Sequence, residues 1–413
     1  MNGIENFAAR QIIECLRSGV SSRSLSAIFS YGREAACERV GRELERVRSG
    51  GDVLPLVIKG NFGNGKTHFL NIIAQKAEKM NFAVSFISLS KETPFDKLDR
   101  LYRRAAAGLY LPGCSQPGFV SLLETLQPGS DQADEILNYA ARNLHPKLEV
   151  VLKNYLDGSG DAYNQHILAS DLSGDFVPNA QLKSIHRLNF GKALSLTPFK
   201  VKEHSFDYFR FLSRLIQAAG YAGWAILFDE FEQLMYLGIT ARTNAYLNAA
   251  RFMAPSFGMT ATYTVFSASS NLWSELIWKQ KNSDYDNVPQ KLAAKDRQYD
   301  IPTVREVFSS FLKENLFLDT LSAFDVRRML QAVRDQHALA YDWQAPEDIG
   351  PATAGIPADR PLRTVIRALV EWLDLQYLYG GKPEIETVMP EELLPDDFPD
   401  NEAGNEDLTV KRS

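Results

Sequence analysis

With 413 residues, 45% of them apolar, the chain has the composition of an ordinary globular protein and the length of one large domain or two to three smaller ones. Its 45 basic and 51 acidic residues leave a net charge of −6, which excludes a global basic field for nucleic acid while leaving room for a local basic patch. The three cysteines, Cys15, Cys37 and Cys114, form neither a CxxC pair nor a metal-ligand spacing. The N-terminal MNGIENFAARQ lacks a charged segment followed by an apolar one, and no apolar run reaches spanning length, so the expectation is a soluble, cytoplasmic protein without a membrane segment.

In chain order, apolar residues at helical spacing predict a helix over Ile4 to Leu16, stopped at Ser18-Gly19. A second helix is predicted from Arg33 to Val47, opened by Gly32, Arg33 and Glu34; on composition alone these three are a glycine hinge and a charged first turn. Leu54 to Ile58 is a short apolar run after the turn signal Ser49-Gly50-Gly51-Asp52, and Thr67 to Met80 has Phe69, Leu70, Ile72, Ile73 and Ala77 at helical spacing.

Between that strand and helix lies GNFGNGKTH, Gly60 to His68. Gly60, Gly65, Lys66 and Thr67 satisfy G-x-x-x-x-G-K-[ST], in which glycines let backbone amides approach a polyphosphate and the following helix N-terminus favours its charge. Asn61, Phe62, Gly63, Asn64 and His68 complete the candidate loop. A plain glycine-rich turn would carry the same composition, but the flanking strand and helix come in the order the phosphate cradle needs.

Ala83 to Leu89 reads as the next strand, giving the strand, helix, strand alternation of a parallel sheet. Helical patterns then dominate from Pro94 to Ala219, so 109–200 is expected to be a largely helical insertion. GWAILFDEFEQL, from Gly223 to Leu234, is a buried strand ending in two acids. Asp229 is the candidate Mg²⁺ ligand with Thr67, and Glu230 the candidate activator of water; the alternative is a strand ending in surface acids. Thr262 to Ala268 is a further strand. Ser269, Ser270 and Asn271 follow it, with Ser269 and Asn271 as candidate γ-phosphate sensors, although polar strand ends are also ordinary loop chemistry. A fifth strand is expected over Arg297 to Ile301, with helices from Thr303 onward.

These blocks divide the chain into N-terminal helices (1–50), an ATPase core (51–301), a helical lid (302–380) and a tail (381–413) rich in Asp and Glu. Pro383, Pro390, Pro395 and Pro399 interrupt the tail, which is expected to be disordered.

The segments Ala9 to Val20, Tyr31-Gly32-Arg33-Glu34, GNFGNGKTHFL and AAGYAGWAILFDEFEQL together resemble the ATP-binding proteins of bacterial BREX-type phage-exclusion systems, the BrxD-like P-loop ATPases. More distantly, they resemble the AAA+ initiator clade. The resemblance implies an AAA+-type P-loop NTPase with a parallel five-stranded sheet, a helical insertion and a C-terminal helical lid, using ATP and Mg²⁺. It implies that Gly32, Arg33 and Glu34 line an adenine pocket and that Arg363, in the first turn of a lid helix, acts as a sensor arginine. It also implies a homo-oligomer working with protein partners such as a helicase or other defence components. Lys291, Lys295 and Arg297 are the residues placed where a trans-acting arginine finger could stand. The initiator clade carries a winged-helix domain after the lid and only the acidic tail follows here, so any DNA binding is expected to be weak and non-specific. Two function classes remain open: an ATP-hydrolysing motor, or a nucleotide-gated scaffold with little turnover. A helicase loader outside defence is the remaining variant.

Overall fold

The computed structural model describes residues 2–19, 29–61, 63–157, 162–253, 257–279, 281, 283–313, 315–354, 356 and 361–380. In chain order its elements are α1 (Asn2–Ser18), α2 (Glu34–Arg48), β1 (Leu56–Gly60), α3 (Lys66–Lys79), β2 (Phe82–Ser88), α4 (Leu98–Ala107) and β3 (Leu109–Tyr110). Six helices follow: α5 (Phe119–Glu124), α6 (Asp131–Asn143), α7 (Pro146–Asp157), α8 (Ala162–Ser170), α9 (Asn179–Phe190) and α10 (Val201–His204). Then come α11 (Phe206–Ala218), β4 (Gly223–Asp229), α12 (Ile239–Arg251), β5 (Thr262–Ser269), α13 (Asp284–Ala293), α14 (Ile301–Lys313), β6 (Asn315–Phe317), α15 (Ala323–Tyr341), α16 (Gly350–Thr353) and α17 (Leu362–Tyr379).

The sheet has six strands in the order β3-β2-β4-β5-β1-β6, all parallel except the antiparallel edge β3. Its central strands are buried on both faces, as crossover helices require. Leu56, Ile58, Phe82, Val84, Ala225, Leu227 and Val265 pack under α2 and α3. The alternate positions Val57, Ala83, Trp224, Ile226, Phe228 and Phe266 face a second core with α4, α11 and α12. Parallel register brings Gly60 beside Ser269 and Ser88 beside Asp229, so the carboxyl ends of β1, β5, β4 and β2 form one rim. In open parallel sheets, ligands bind at such a rim.

The helices between β3 and β4 share the second core. Within them lies a buried polar triad: Lys147 Nζ pairs with Asp171 Oδ2 at 2.6 Å, and the Tyr208 hydroxyl donates to Asp171 Oδ1 at 2.6 Å. A third core joins the two ends of the described chain, with Ile12, Ile13 and Leu16 of α1 packed among Met329 and Val333 of α15 and Leu369, Val370 and Leu373 of α17. Arg17 Nη2 donates to Asp374 Oδ2 at 2.8 Å, and His337 Nε2 bonds Asp374 Oδ1 at 3.0 Å.

Four expectations change. The sheet has six strands where five were expected, and it is not wholly parallel. Arg297 to Ile301 is no strand: Gln298–Asp300 is a 3₁₀ turn closed by Arg297 Nε donating to Asp300 Oδ2 at 2.7 Å, and Ile301 already opens α14. Pro302 is tolerated in a first helical turn but would remove a ladder donor from a strand. The stretch after Thr303 is not helical throughout, because β6 interrupts it and pairs with β1. Leu109–Tyr110, expected in the helical insertion, pairs with β2. The expected tail, 381–413, lies outside the described residues. All three cysteines are free, and among the described residues no helix is long and apolar enough to cross a membrane.

Candidate functional site

The loop after β1 turns into α3 through two residues in the left-handed region, Gly63 at φ 86° and Gly65 at φ 81°. A side chain is disfavoured at both. Gly65 sits at the N-cap of α3, so the free amides of the first turn face the loop. Lys66 Nζ lies over the loop and donates to Gly60 O and Asn61 O, each at 3.1 Å. Phe62 lies outside the described residues.

Four separate segments hold the loop from outside. Asn64 Nδ2 donates to Leu318 O at 2.8 Å, just past β6. Arg33 Nη2 donates to Asn64 O at 3.3 Å and to Asp319 O at 2.7 Å. His68 Nε2 bonds Phe29 O, and burial lowers its pKa from the ordinary imidazole value. Pro361, ahead of α17, stands so close that a Cβ at Gly63 would lie 3.3 Å from Pro361 Cβ.

Thr67 Oγ1, in the first turn of α3, donates to Asp229 Oδ2 at 2.7 Å at the end of β4. Asp229 is only 3% exposed, and its Oδ1 accepts the Glu230 N–H at 2.9 Å. Glu230 takes the left-handed conformation, φ 58° and ψ 39°, which turns the chain sharply at the strand end. Its exposed carboxylate accepts a long bond, 3.4 Å, from Ser88 Oγ at the end of β2. Ser269 is half-buried beside Gly60, while Asn271 is exposed at the start of the following turn.

The candidates therefore divide. Gly60, Asn61, Gly63, Asn64, Gly65, Lys66, Thr67 and Asp229 gather at one end of the sheet, with Glu230 and Ser269 on the neighbouring strand ends. Arg33 touches the loop. Gly32 instead packs against Asp325 and Leu321, and Glu34 is exposed at the start of α2. The Arg363 side chain lies against Gly19, so the first turn of α17 is near the loop while this arginine is directed at the end of α1. Lys291, Lys295 and Arg297 line a different cavity, between α12 and α13.

Glu232 was not anticipated. It lies on the 3₁₀ turn Phe231–Tyr236, and its Oε2 is buried without a hydrogen-bond partner among the described residues. Burial raises its pKa, opposed by its own N–H, the Ser269 N–H and the charge of Lys66, and reinforced by Asp229. The signal was present in the sequence: residues three apart eclipse on a 3₁₀ turn, so an acid three positions after Asp229 returns toward the same end of the sheet.

The donor set fits a nucleoside polyphosphate with a magnesium ion. A lysine and free helix amides suit the phosphates. Mg²⁺ is commonly held by a hydroxyl and one carboxylate together with substrate oxygens and water, which is what Thr67 and Asp229 offer side by side. No curated protein shows significant similarity to the chain. Residues 4–133, which include α1, the loop and α3, match the family described as BREX system ATP-binding protein BrxC/D, and over that region the chain is BrxC/D-like.

Proposed function

We propose that the chain is an AAA+-type ATPase that binds ATP with Mg²⁺ and hydrolyses it in the cytoplasm, as part of a BREX phage-defence system. The observation that carries this reading is the Thr67–Asp229 bond at the base of the glycine loop. The position of β5 between β1 and β4 supports the AAA+ assignment, since it sets the candidate sensor strand between loop and acid. In this reading Lys66 and the α3 amides hold the β- and γ-phosphates, while Thr67 and Asp229 hold the metal. The metal, when bound, neutralises charge on the phosphate oxygens. Glu230 takes a proton from water as that water attacks the γ-phosphorus and the bond to the β-phosphate oxygen breaks, releasing ADP and phosphate. Ser269 and Asn271 sense the γ-phosphate. Gly32, Arg33 and Glu34 flank the adenine, and the α15 to α17 region closes as a lid, with Arg363 swinging from Gly19 to the phosphates. The chain acts as a homo-oligomer with a helicase or other DNA-processing component.

A second reading is a nucleotide-gated switch with little turnover. It is favoured by the four outside segments that hold the loop, because a phosphate entering there would compete with or reinforce each contact. Steady-state phosphate release separates the two. Under the ATPase reading, Glu230→Gln retains bound ATP and loses turnover, whereas Lys66→Ala loses ATP binding. Turnover in Glu230→Gln equal to wild type would remove Glu230 from catalysis, and no turnover in wild type with ATP bound would favour the switch.

A further inference from the structure

A second polar cavity, of about 180 Å³, opens between α12 and α13 and shares no residue with the glycine loop. Thr240, Thr243 and Asn244 line it from α12; Lys291 and Leu292 come from α13, with Lys295 and Arg297 just beyond. The nearby acids are largely committed elsewhere. Asp284 is taken by Arg242, at 2.8 and 2.9 Å, and by the Tyr246 hydroxyl at 2.8 Å, a buried network that fixes α12 against α13. Asp300 holds Arg297. Lys291 and Lys295 have no ion pair among the described residues. Two unpaired ammonium groups beside a guanidinium, with hydroxyl and amide donors between them, make a concave site whose electrostatics favour an anion. At about 30 Å³ per water, the space admits a tetrahedral phosphate with part of its ester group.

Two aromatic side chains flank the cavity in sequence. Tyr299 is 73% exposed and lies two residues past Arg297; Tyr236 is 76% exposed and lies four residues before Thr240. The Tyr236 turn is tied to α12 by Arg242 Nη1 donating to Leu237 O. Neither tyrosine ring stacks on another among the described residues. Cations that take a phosphate, bordered by free aromatic faces, are the elements of single-strand recognition, in which bases stack and the backbone is held by charge.

We infer that this cavity holds a backbone phosphate of a single-stranded nucleic acid, with Tyr299 and Tyr236 offering faces to the adjoining bases. The site is local and small, in keeping with a chain of net charge −6 that has no general affinity for nucleic acid. It is independent of the nucleotide reading, so it is measured without ATP or Mg²⁺.

The test is fluorescence anisotropy of a labelled oligothymidine of about 20 nucleotides with the full chain at about 50 mM salt. Lys291→Ala/Lys295→Ala is expected to weaken binding at least tenfold. It should also reduce the slope of log affinity against log salt by about 1.4, at about 0.7 per lost phosphate contact. Tyr299→Ala is expected to weaken binding about fivefold or more, with Tyr299→Phe close to wild type. Both variants should keep the wild-type melting temperature, and the lysine variant should keep wild-type affinity for Mg-ATP. Absence of oligonucleotide binding by wild type, or an unchanged affinity in the lysine variant, overturns the inference. So does inorganic triphosphate displacing the oligonucleotide at equal phosphate concentration, because the site would then be one for small anions.

Discussion

Thr67 Oγ1 and Asp229 Oδ2 stand 2.7 Å apart although 162 positions separate them in the chain, so the first turn of α3 and the end of β4 present one hydroxyl and one carboxylate as a pair. Asp229→Asn keeps the size of the side chain and removes its charge. Under the proposed function, phosphate release falls by roughly 100-fold, the magnesium concentration for half-maximal turnover rises, and ATP binding without metal stays close to wild type. A titration of turnover against Mg²⁺ reads this directly; an unchanged magnesium requirement would separate Asp229 from the metal.

Glu232 gives a pH prediction. Burial raises its folded pKa above the unfolded value, so between the two values the folded chain binds more protons. Stability from this group is therefore lost as pH rises through that window, and the full cost is present above it. Glu232→Gln, without nucleotide, is expected to gain about 1 kcal/mol above the window, or about 1–2 °C in melting temperature, and nothing at acid pH. Melting curves across pH check it, and a variant that melts no higher than wild type at any pH refutes it.

Ligand linkage supplies a third expectation. A nucleotide that binds only the folded state adds about 2.7 kcal/mol at a hundredfold excess over its Kd. Mg-ATP should raise the melting temperature of nucleotide-free protein, and Lys66→Ala should abolish the rise. A rise of equal size in the variant would place nucleotide elsewhere.

The triad between β3 and β4 is tested by a double-mutant cycle. The Lys147 and Asp171 side chains are 1% and 0% exposed, so removing one charge strands the other. Lys147→Met is expected to cost about 3–5 kcal/mol in denaturant unfolding. Lys147→Met/Asp171→Leu should recover much of that, with about 1–3 kcal/mol remaining for the Tyr208 hydroxyl that loses its acceptor. A double variant less stable than Lys147→Met by the full cost of Asp171→Leu would show that the two charges do not couple.

The parts legible in the sequence were those whose chemistry dictates residue type and order. Gly65 and Lys66 follow an apolar strand because a phosphate cradle needs both, and the run from Gly223 to Asp229 is long enough to declare itself a buried strand. The edges were not legible. Two and three residues, in β3 and β6, are too few to show a period of two, and Arg297 to Ile301 carried strand-like residues whose fate was decided by Pro302 and by the Arg297–Asp300 bond. Glu232 was hidden for another reason: its position depends on the turn being 3₁₀, with three residues per turn. The contact from Arg33 to Asp319 spans 286 positions and is set by tertiary packing alone.

The union of α1 with α15 and α17 also governs how the protein is made. Arg17 leaves the ribosome 357 residues before Asp374. At about 5–20 residues per second, translation keeps them apart for roughly 20–70 s. During that interval Ile12, Ile13 and Leu16 have none of their final partners on α17, so the first helix synthesised is among the last to be buried. The nascent chain thus carries an uncovered apolar stripe through most of its synthesis, the kind of surface that chaperones engage.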